Sequence, residues 1–138
     1  MFQGVSDLED TRIIVAVLWM GVAFCLAFGA ILGLFKQGYI QGLMDGEIDG
    51  IKITQNVLLG NAVIMMIPAF MGFLSLSLQY PSIRWLNLIV CSMYILLILM
   101  TYGYYFSYNI QTWNYYNILK AMEIALYALL IWYNWKWI

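Results

Sequence analysis

Residues 114–138 read Asn-Tyr-Tyr-Asn-Ile-Leu-Lys-Ala-Met-Glu-Ile-Ala-Leu-Tyr-Ala-Leu-Leu-Ile-Trp-Tyr-Asn-Trp-Lys-Trp-Ile. The run is apolar and long enough for a membrane-spanning helix, yet it holds Lys120 and Glu123 three residues apart. At helical spacing Tyr116, Lys120, Glu123, Tyr127, Leu130 and Asn134 fall in one narrow stripe, with Ala121, Ala125, Ala128 and Trp132 opposite. Polar groups find no partner in lipid, so the stripe is expected to face the interior of a helix bundle. Counting from Trp113 at 1.5 Å per residue places Glu123 at a depth of about 15 Å.

The rest of the chain supports the bilayer as its solvent. Of 138 residues, 64% are hydrophobic and 9% charged, where soluble domains carry about a quarter charged residues. The length suits a single integral-membrane domain, residues 1–138. A net charge of −1 excludes the basic surface that nucleic acid requires. Histidine is absent, which removes Ser-His-Asp triads, bis-histidine haem and histidine zinc sites. Cys25 and Cys91 lie in different apolar runs without metal or redox spacing and read as buried free thiols. The sequence implies no catalytic constellation, metal or cofactor. An enzyme is therefore the least favoured functional class, a lipid-modifying use of Glu123 being its one opening.

Upstream, apolar runs predict three further helices. Helix 1, about residues 11–35, follows an acidic flank (Asp7, Glu9, Asp10) on which Ser6 or Asp7 is expected to cap a short lead-in. That flank and the length of the run argue for a retained helix over a signal peptide. Gly21, Cys25, Gly29 and Gly33 recur every fourth residue, a face for close helix packing with no chemistry of its own. Residues 36–52 form the polar loop; their acid–glycine alternation reads as a solvated turn and lacks the EF-hand pattern, with room for a short interfacial helix at Tyr39–Met44. Helix 2, about 51–79, lines up Thr54, Asn61, Met65, Pro68, Gly72, Ser75 and Gln79, and Pro68 should kink it and free backbone carbonyls. After Tyr80-Pro81-Ser82, helix 3 (about 83–106) carries Arg84, Asn87, Cys91, Tyr94, Thr101, Tyr105 and Tyr108 on a stripe. Helix 4 is expected over about 112–136.

Aromatic belts are expected at both interfaces, Tyr102, Tyr104, Tyr105, Phe106, Tyr108, Trp113, Tyr115 and Tyr116 at one and Tyr80, Trp85, Trp132, Tyr133, Trp135 and Trp137 at the other. The expected architecture is an all-α transmembrane four-helix bundle with both termini on the same side. Arg12, Arg84 and Lys136 on that side, against Lys36 and Lys52 on the other, favour termini in the cytoplasm by three to two, and the protein is expected in the cell membrane as a multi-pass chain.

Glu123 is the focus of function. Burial opposes its ionisation and Lys120, one turn away, favours it, unless the lysine snorkels to the interface. Span arithmetic brings Asn61 and Met65 of helix 2 and Tyr94 and Thr101 of helix 3 to similar or adjacent depths, and some of these are expected to hydrogen-bond Glu123. The expected binding set is Glu123, Lys120, Asn61, Tyr94 and Thr101. The bland reading is an interhelical clasp. The functional one is a proton, ion or polar-ligand site in a small transporter, channel or ligand-binding bundle, whose thin pathway calls for a homo-oligomer. The alternative is an accessory or assembly subunit of a larger membrane complex, served by the small-residue faces of helices 1 and 4.

Three stretches together carry a resemblance: Asn56-Val57-Leu58-Leu59-Gly60-Asn61 through Pro68 to Phe73-Leu74-Ser75-Leu76; Arg84-Trp85-Leu86-Asn87; and Met122-Glu123-Ile124 running to Trp132-Tyr133-Asn134-Trp135-Lys136-Trp137. The chain resembles an uncharacterised family of small four-helix prokaryotic membrane proteins, a domain of unknown function, over about residues 5–138. More distantly its layout is similar to DoxX-like proteins. The resemblance implies a four-helix fold and Glu123, Arg84 and Pro68 as family features. It implies no activity, and Lys120 is not among its features.

Overall fold

The computed structural model describes residues 2–48, 50–78, 81–107 and 115–136, without side chains for 2–6, 8, 105–106 and 115–116. Of the expected belts, Tyr80, Tyr108, Trp113 and Trp137 lie outside the described residues, as do Gln79 and Asp49. So do the side chains of Ser6, Tyr105, Phe106, Tyr115 and Tyr116.

The described residues are all-α apart from one minimal hairpin. The described elements are α1 (Phe2–Gly33), α2 (Tyr39–Asp45), β1 (Glu47–Ile48), β2 (Ile51–Lys52), α3 (Gln55–Ser77), α4 (Ser82–Ser107) and α5 (Tyr115–Lys136). Three of these helices are long and apolar enough to cross a membrane, through Glu9–Gly33, Gln55–Ser77 and Ser82–Tyr104. Helix α5 is not one of them, although four spans were expected. Lys120, Glu123, Asn117, Asn134 and Lys136 dilute its apolar content.

The boundaries differ from expectation where local hydrogen bonding intervenes. Helix α1 is continuous from Phe2, so the acidic flank is part of the helix and not a capped lead-in. Thr11 Oγ1 donates back to the Asp7 carbonyl at 2.8 Å within it. The polar loop is more ordered than a solvated turn. The expected short helix is present as α2, and β1 pairs antiparallel with β2, Glu47 opposite Lys52 and Ile48 opposite Ile51. The hairpin takes residues assigned to helix 2, which begins instead at Gln55. There the Thr54 hydroxyl accepts the Val57 N–H at 3.3 Å and caps the helix.

Packing follows the small-residue faces. Helix α1 lies against α3 and α5, and α4 against α5 and α3. The glycine stripe of α1 meets α5: Gly21 faces Leu126 and Gly29 faces Leu119. On its other side α1 meets α3 so closely that a β-carbon at Gly72 would sit 3.4 Å from the Ala16 carbonyl oxygen. Early residues of α1 and α4 thus meet late residues of α3 and α5, and neighbours in contact run antiparallel. The core comprises Val15, Trp19, Val22, Met71, Cys91, Tyr94, Ile98, Tyr127 and Leu130. Large apolar residues such as Phe24, Phe28, Phe70, Phe73, Met93 and Trp132 face outward. That pattern suits a lipid solvent, since a chain this apolar would leave extensive patches in water.

Candidate functional site

The narrow stripe of α5 is the spine of the interior. Glu123, Tyr127, Leu130 and Asn134 are buried, while Ala121, Ala125, Ala128 and Trp132 are exposed. The spine carries two polar clusters.

The first is built on Glu123, 2% exposed. Lys120 points inward and not to the interface: its Nζ donates to Glu123 Oε2 at 2.6 Å. Tyr127, one turn further on, donates its hydroxyl to Glu123 Oε1 at 3.2 Å. Both carboxyl oxygens therefore accept hydrogen bonds from donors on the same helix. The i,i+3 and i,i+4 spacings put all three side chains on one face. Below the pair, Tyr102 donates to Asn117 Oδ1 at 3.2 Å and ties α4 to α5.

From Tyr127 the cluster continues through aromatic contacts. The Tyr94 ring stacks on Tyr127 with centroids 5.7 Å apart, and Trp19 meets Tyr127 edge-on at 6.4 Å. Tyr94 then turns its hydroxyl away from Glu123 and donates to the Ile64 carbonyl. Pro68, inside α3, explains this choice. Proline has no N–H, so the carbonyl four residues earlier loses its helical donor. That carbonyl is Ile64, and the Tyr94 hydroxyl replaces the missing donor.

Two of the residues expected around Glu123 do not reach it. Asn61 is exposed, because the buried face of α3 begins at Pro68 and continues through Met71, Gly72 and Ser75. Thr101 is also exposed and satisfies its hydroxyl on the Leu97 carbonyl of its own helix at 2.8 Å. Tyr94 reaches the cluster through its ring alone. Among the described residues Glu123 is hydrogen-bonded by Lys120 and Tyr127. Tyr127 was not among the partners expected for Glu123, and its place four residues after Glu123 on the stripe is the signal for it in the sequence.

The second cluster joins all four long helices. Trp19 Nε1 donates to Asn87 Oδ1 at 2.9 Å, and Asn87 Nδ2 donates to Asn134 Oδ1 at 3.0 Å. Asn134 Nδ2 donates to the Leu130 carbonyl at 2.7 Å. Ser75 Oγ lies 2.7 Å from the Met71 carbonyl and 3.4 Å from Asn87 Oδ1. Trp19 corrects the view of α1 as packing alone. An indole N–H in mid-span needs an acceptor, which was the signal in the sequence. Two arginines close the same end of the molecule. Arg12 donates to the carbonyl of Leu78, the C-cap of α3, and Arg84 Nη2 donates to the Trp135 carbonyl near the end of α5 at 3.3 Å. Each guanidinium thus serves the unpaired carbonyls of a neighbouring helix C-terminus, where positive charge is also favoured.

Membrane-length apolar helices wrapped about a polar spine define an all-α protein compatible with a membrane. Within that class, the chain belongs to a family of unknown function (DUF6326), which it matches over residues 5–138. This match covers nearly the whole chain and does not establish the more distant likeness to DoxX-like proteins. No match is found among curated proteins or among solved structures.

Proposed function

We propose that the protein is a multi-pass protein of the cell membrane, a transmembrane four-helix bundle whose Lys120–Glu123–Tyr127 cluster is an internal site for a proton, a small cation or a polar ligand. The ion pair carries this reading. The acidic group of Glu123 and the amine of Lys120 stand 2.6 Å apart near the middle of a long helix, where in a membrane such groups are costly and mark pathways or ligand sites. Lys120 keeps 17% of its side chain exposed while Glu123 keeps 3%, so the lysine is the side from which the carboxylate is approached. An incoming proton or cation competes with the ammonium for Glu123, and Tyr127 stays as the second donor.

Support for a fourth span comes from α5 itself. Its 22 residues extend about 33 Å, enough for a hydrocarbon core of about 30 Å. It lies antiparallel to α1 and α4, with Glu123, Tyr127 and Asn134 turned inward. Four antiparallel spans bring both termini to one side, which Arg12, Arg84 and Lys136 mark as cytoplasmic. The test is reconstitution in liposomes loaded with a pH dye, with an imposed gradient of protons or alkali cations. Wild type should dissipate the gradient above empty vesicles and Glu123→Gln should not. Equal traces at background leak would overturn the transport reading.

A second reading, an accessory subunit of a larger complex, draws on the face of α5 opposite the spine. Ala121, Ala125 and Ala128 are exposed there, and small residues admit another helix closely. Purification from the native membrane in mild detergent should then yield a hetero-complex; a lone species or a pure homo-oligomer argues against it.

A further inference from the structure

The segment between α1 and α3 is ordered by its own main chain. None of the residues of α2 is buried. Gly46 closes this short helix by donating to the Gly42 and Leu43 carbonyls, and the Ile53 N–H returns to the Gly46 carbonyl at 2.8 Å. Gly42 lies so close to β1 that a β-carbon there would come within 2.6 Å of the Glu47 carbonyl oxygen. The hairpin thus occupies one side of α2 and fixes which side is left outside.

That outer side is apolar. At 3.6 residues per turn Ile40 and Met44 stand about 160° round the helix from Gly42, away from the hairpin. Both are exposed, Met44 to 77%. Gln41 and Asp45 form a separate polar edge, Gln41 Nε2 donating to Asp45 Oδ1 at 3.4 Å. Immediately upstream Phe35 is 80% exposed. Such side chains are costly in water when the segment that carries them buries nothing in exchange.

The connections of the segment decide what covers it. It runs from the end of one helix of membrane length, at Gly33, to the start of the next, at Gln55. A rigid unit tied at both ends to neighbouring spans is held at the membrane surface. Its apolar side also continues an outward stripe of α1, where Phe24, Phe28 and Ile31 are exposed at helical spacing and Phe35 follows in register.

We propose that α2 and its hairpin form an in-plane membrane anchor, lying at the boundary of headgroups and acyl chains with Phe35, Ile40 and Met44 among the lipids and Gln41 and Asp45 in water. The partner is the bilayer surface itself. Lysines and acids nearly balance over residues 36–52, so burial of the apolar side chains, and not headgroup charge, supplies the attraction. The proposal rests on the membrane reading of the chain and is independent of what Glu123 binds.

The test uses the full chain in phosphatidylcholine vesicles, spin-labelled one site at a time in a Cys25→Ala, Cys91→Ala background. Relaxation by dissolved oxygen and by a water-soluble nickel chelate gives the depth of each label. Labels at Ile40→Cys and Met44→Cys should lie about 5–10 Å below the headgroup boundary, Gln41→Cys should be open to the chelate, and Met66→Cys, at the middle of α3, should lie deepest. A second measurement needs no substitution: a phospholipid carrying a photoactivated carbene near its ester groups should label wild type within residues 35–44. Chelate access at Met44 equal to that at Gln41 would overturn the proposal, as would the absence of lipid adducts in this segment. So would an immobile label at Met44 that neither reagent reaches, the mark of a second copy or another protein on this face. A label at Met66 open to the chelate would overturn the membrane reading and the anchor with it, whereas a deep Met66 with a water-exposed Met44 would remove the anchor alone.

Discussion

Replacing Lys120 with methionine keeps the length of the side chain and removes the ammonium. In the wild type that ammonium lies 2.6 Å from a carboxylate that is 2% exposed. Without it, Glu123 retains the Tyr127 hydroxyl at 3.2 Å as partner. Breaking a buried pair on one side costs about 3–5 kcal/mol, because the surviving charge stays desolvated. Glu123→Met should cost less, about 1–3 kcal/mol, since Lys120 already has 17% of its side chain exposed and its long stem reaches outward. The double variant Lys120→Met, Glu123→Met leaves no charge behind. It should be destabilised by no more than about 2 kcal/mol, with a coupling energy of about 2 kcal/mol or more across the cycle. Unfolding in mixed micelles, followed through tryptophan fluorescence, measures all four corners. Additive costs, with the double variant the least stable of the set, would refute the claim that the two charges compensate each other inside the bundle.

The second cluster and the proline give further expectations. Asn87→Leu strands the Trp19 N–H and Asn134 Oδ1 together, and should cost about 2–6 kcal/mol at about 1–3 kcal/mol per orphaned group; a loss under 0.5 kcal/mol in the same unfolding assay would show the network to be dispensable. Tyr94→Phe should destabilise by about 1–2 kcal/mol by leaving the Ile64 carbonyl unpaired. In a Pro68→Ala background, where a backbone N–H returns to that carbonyl, the same change should cost much less. An equal cost in both backgrounds would mean that Tyr94 is not standing in for the missing helical donor.

Much of the interior could be read from one helix. Lys120, Glu123, Tyr127, Leu130 and Asn134 share a stripe because helical periodicity is a property of the sequence alone, and so is the rule that polar groups in a span turn inward. The same holds for the small-residue face of α1 and for the three apolar runs of membrane length. These are local facts, decided by residue type and spacing, which is why they survive without knowledge of the neighbours.

What joins one helix to another was decided by rotation and register, which periodicity leaves open. Equal depth suggested Asn61 and Thr101 as partners of Glu123, but depth says nothing about which way a side chain points about its helix axis. For Asn61 the deciding variable is position along the helix: it shares the face of Pro68 and Ser75, but the contacts that bury this face begin only at Pro68 and leave Asn61 outside. The tertiary structure sends Tyr94 to the carbonyl that Pro68 frees and brings Trp19 of α1 to Asn87 of α4, 68 residues away. It also sets Arg12 and Arg84 on the ends of α3 and α5. The sequence by itself determined an all-α chain with apolar helices and a charged pair on the last of them, because those features depend on composition and the 3.6-residue repeat. Only the tertiary structure decided that Lys120 points at Glu123 and which groups on other helices close the interior, because those contacts depend on how packed helices are turned against one another.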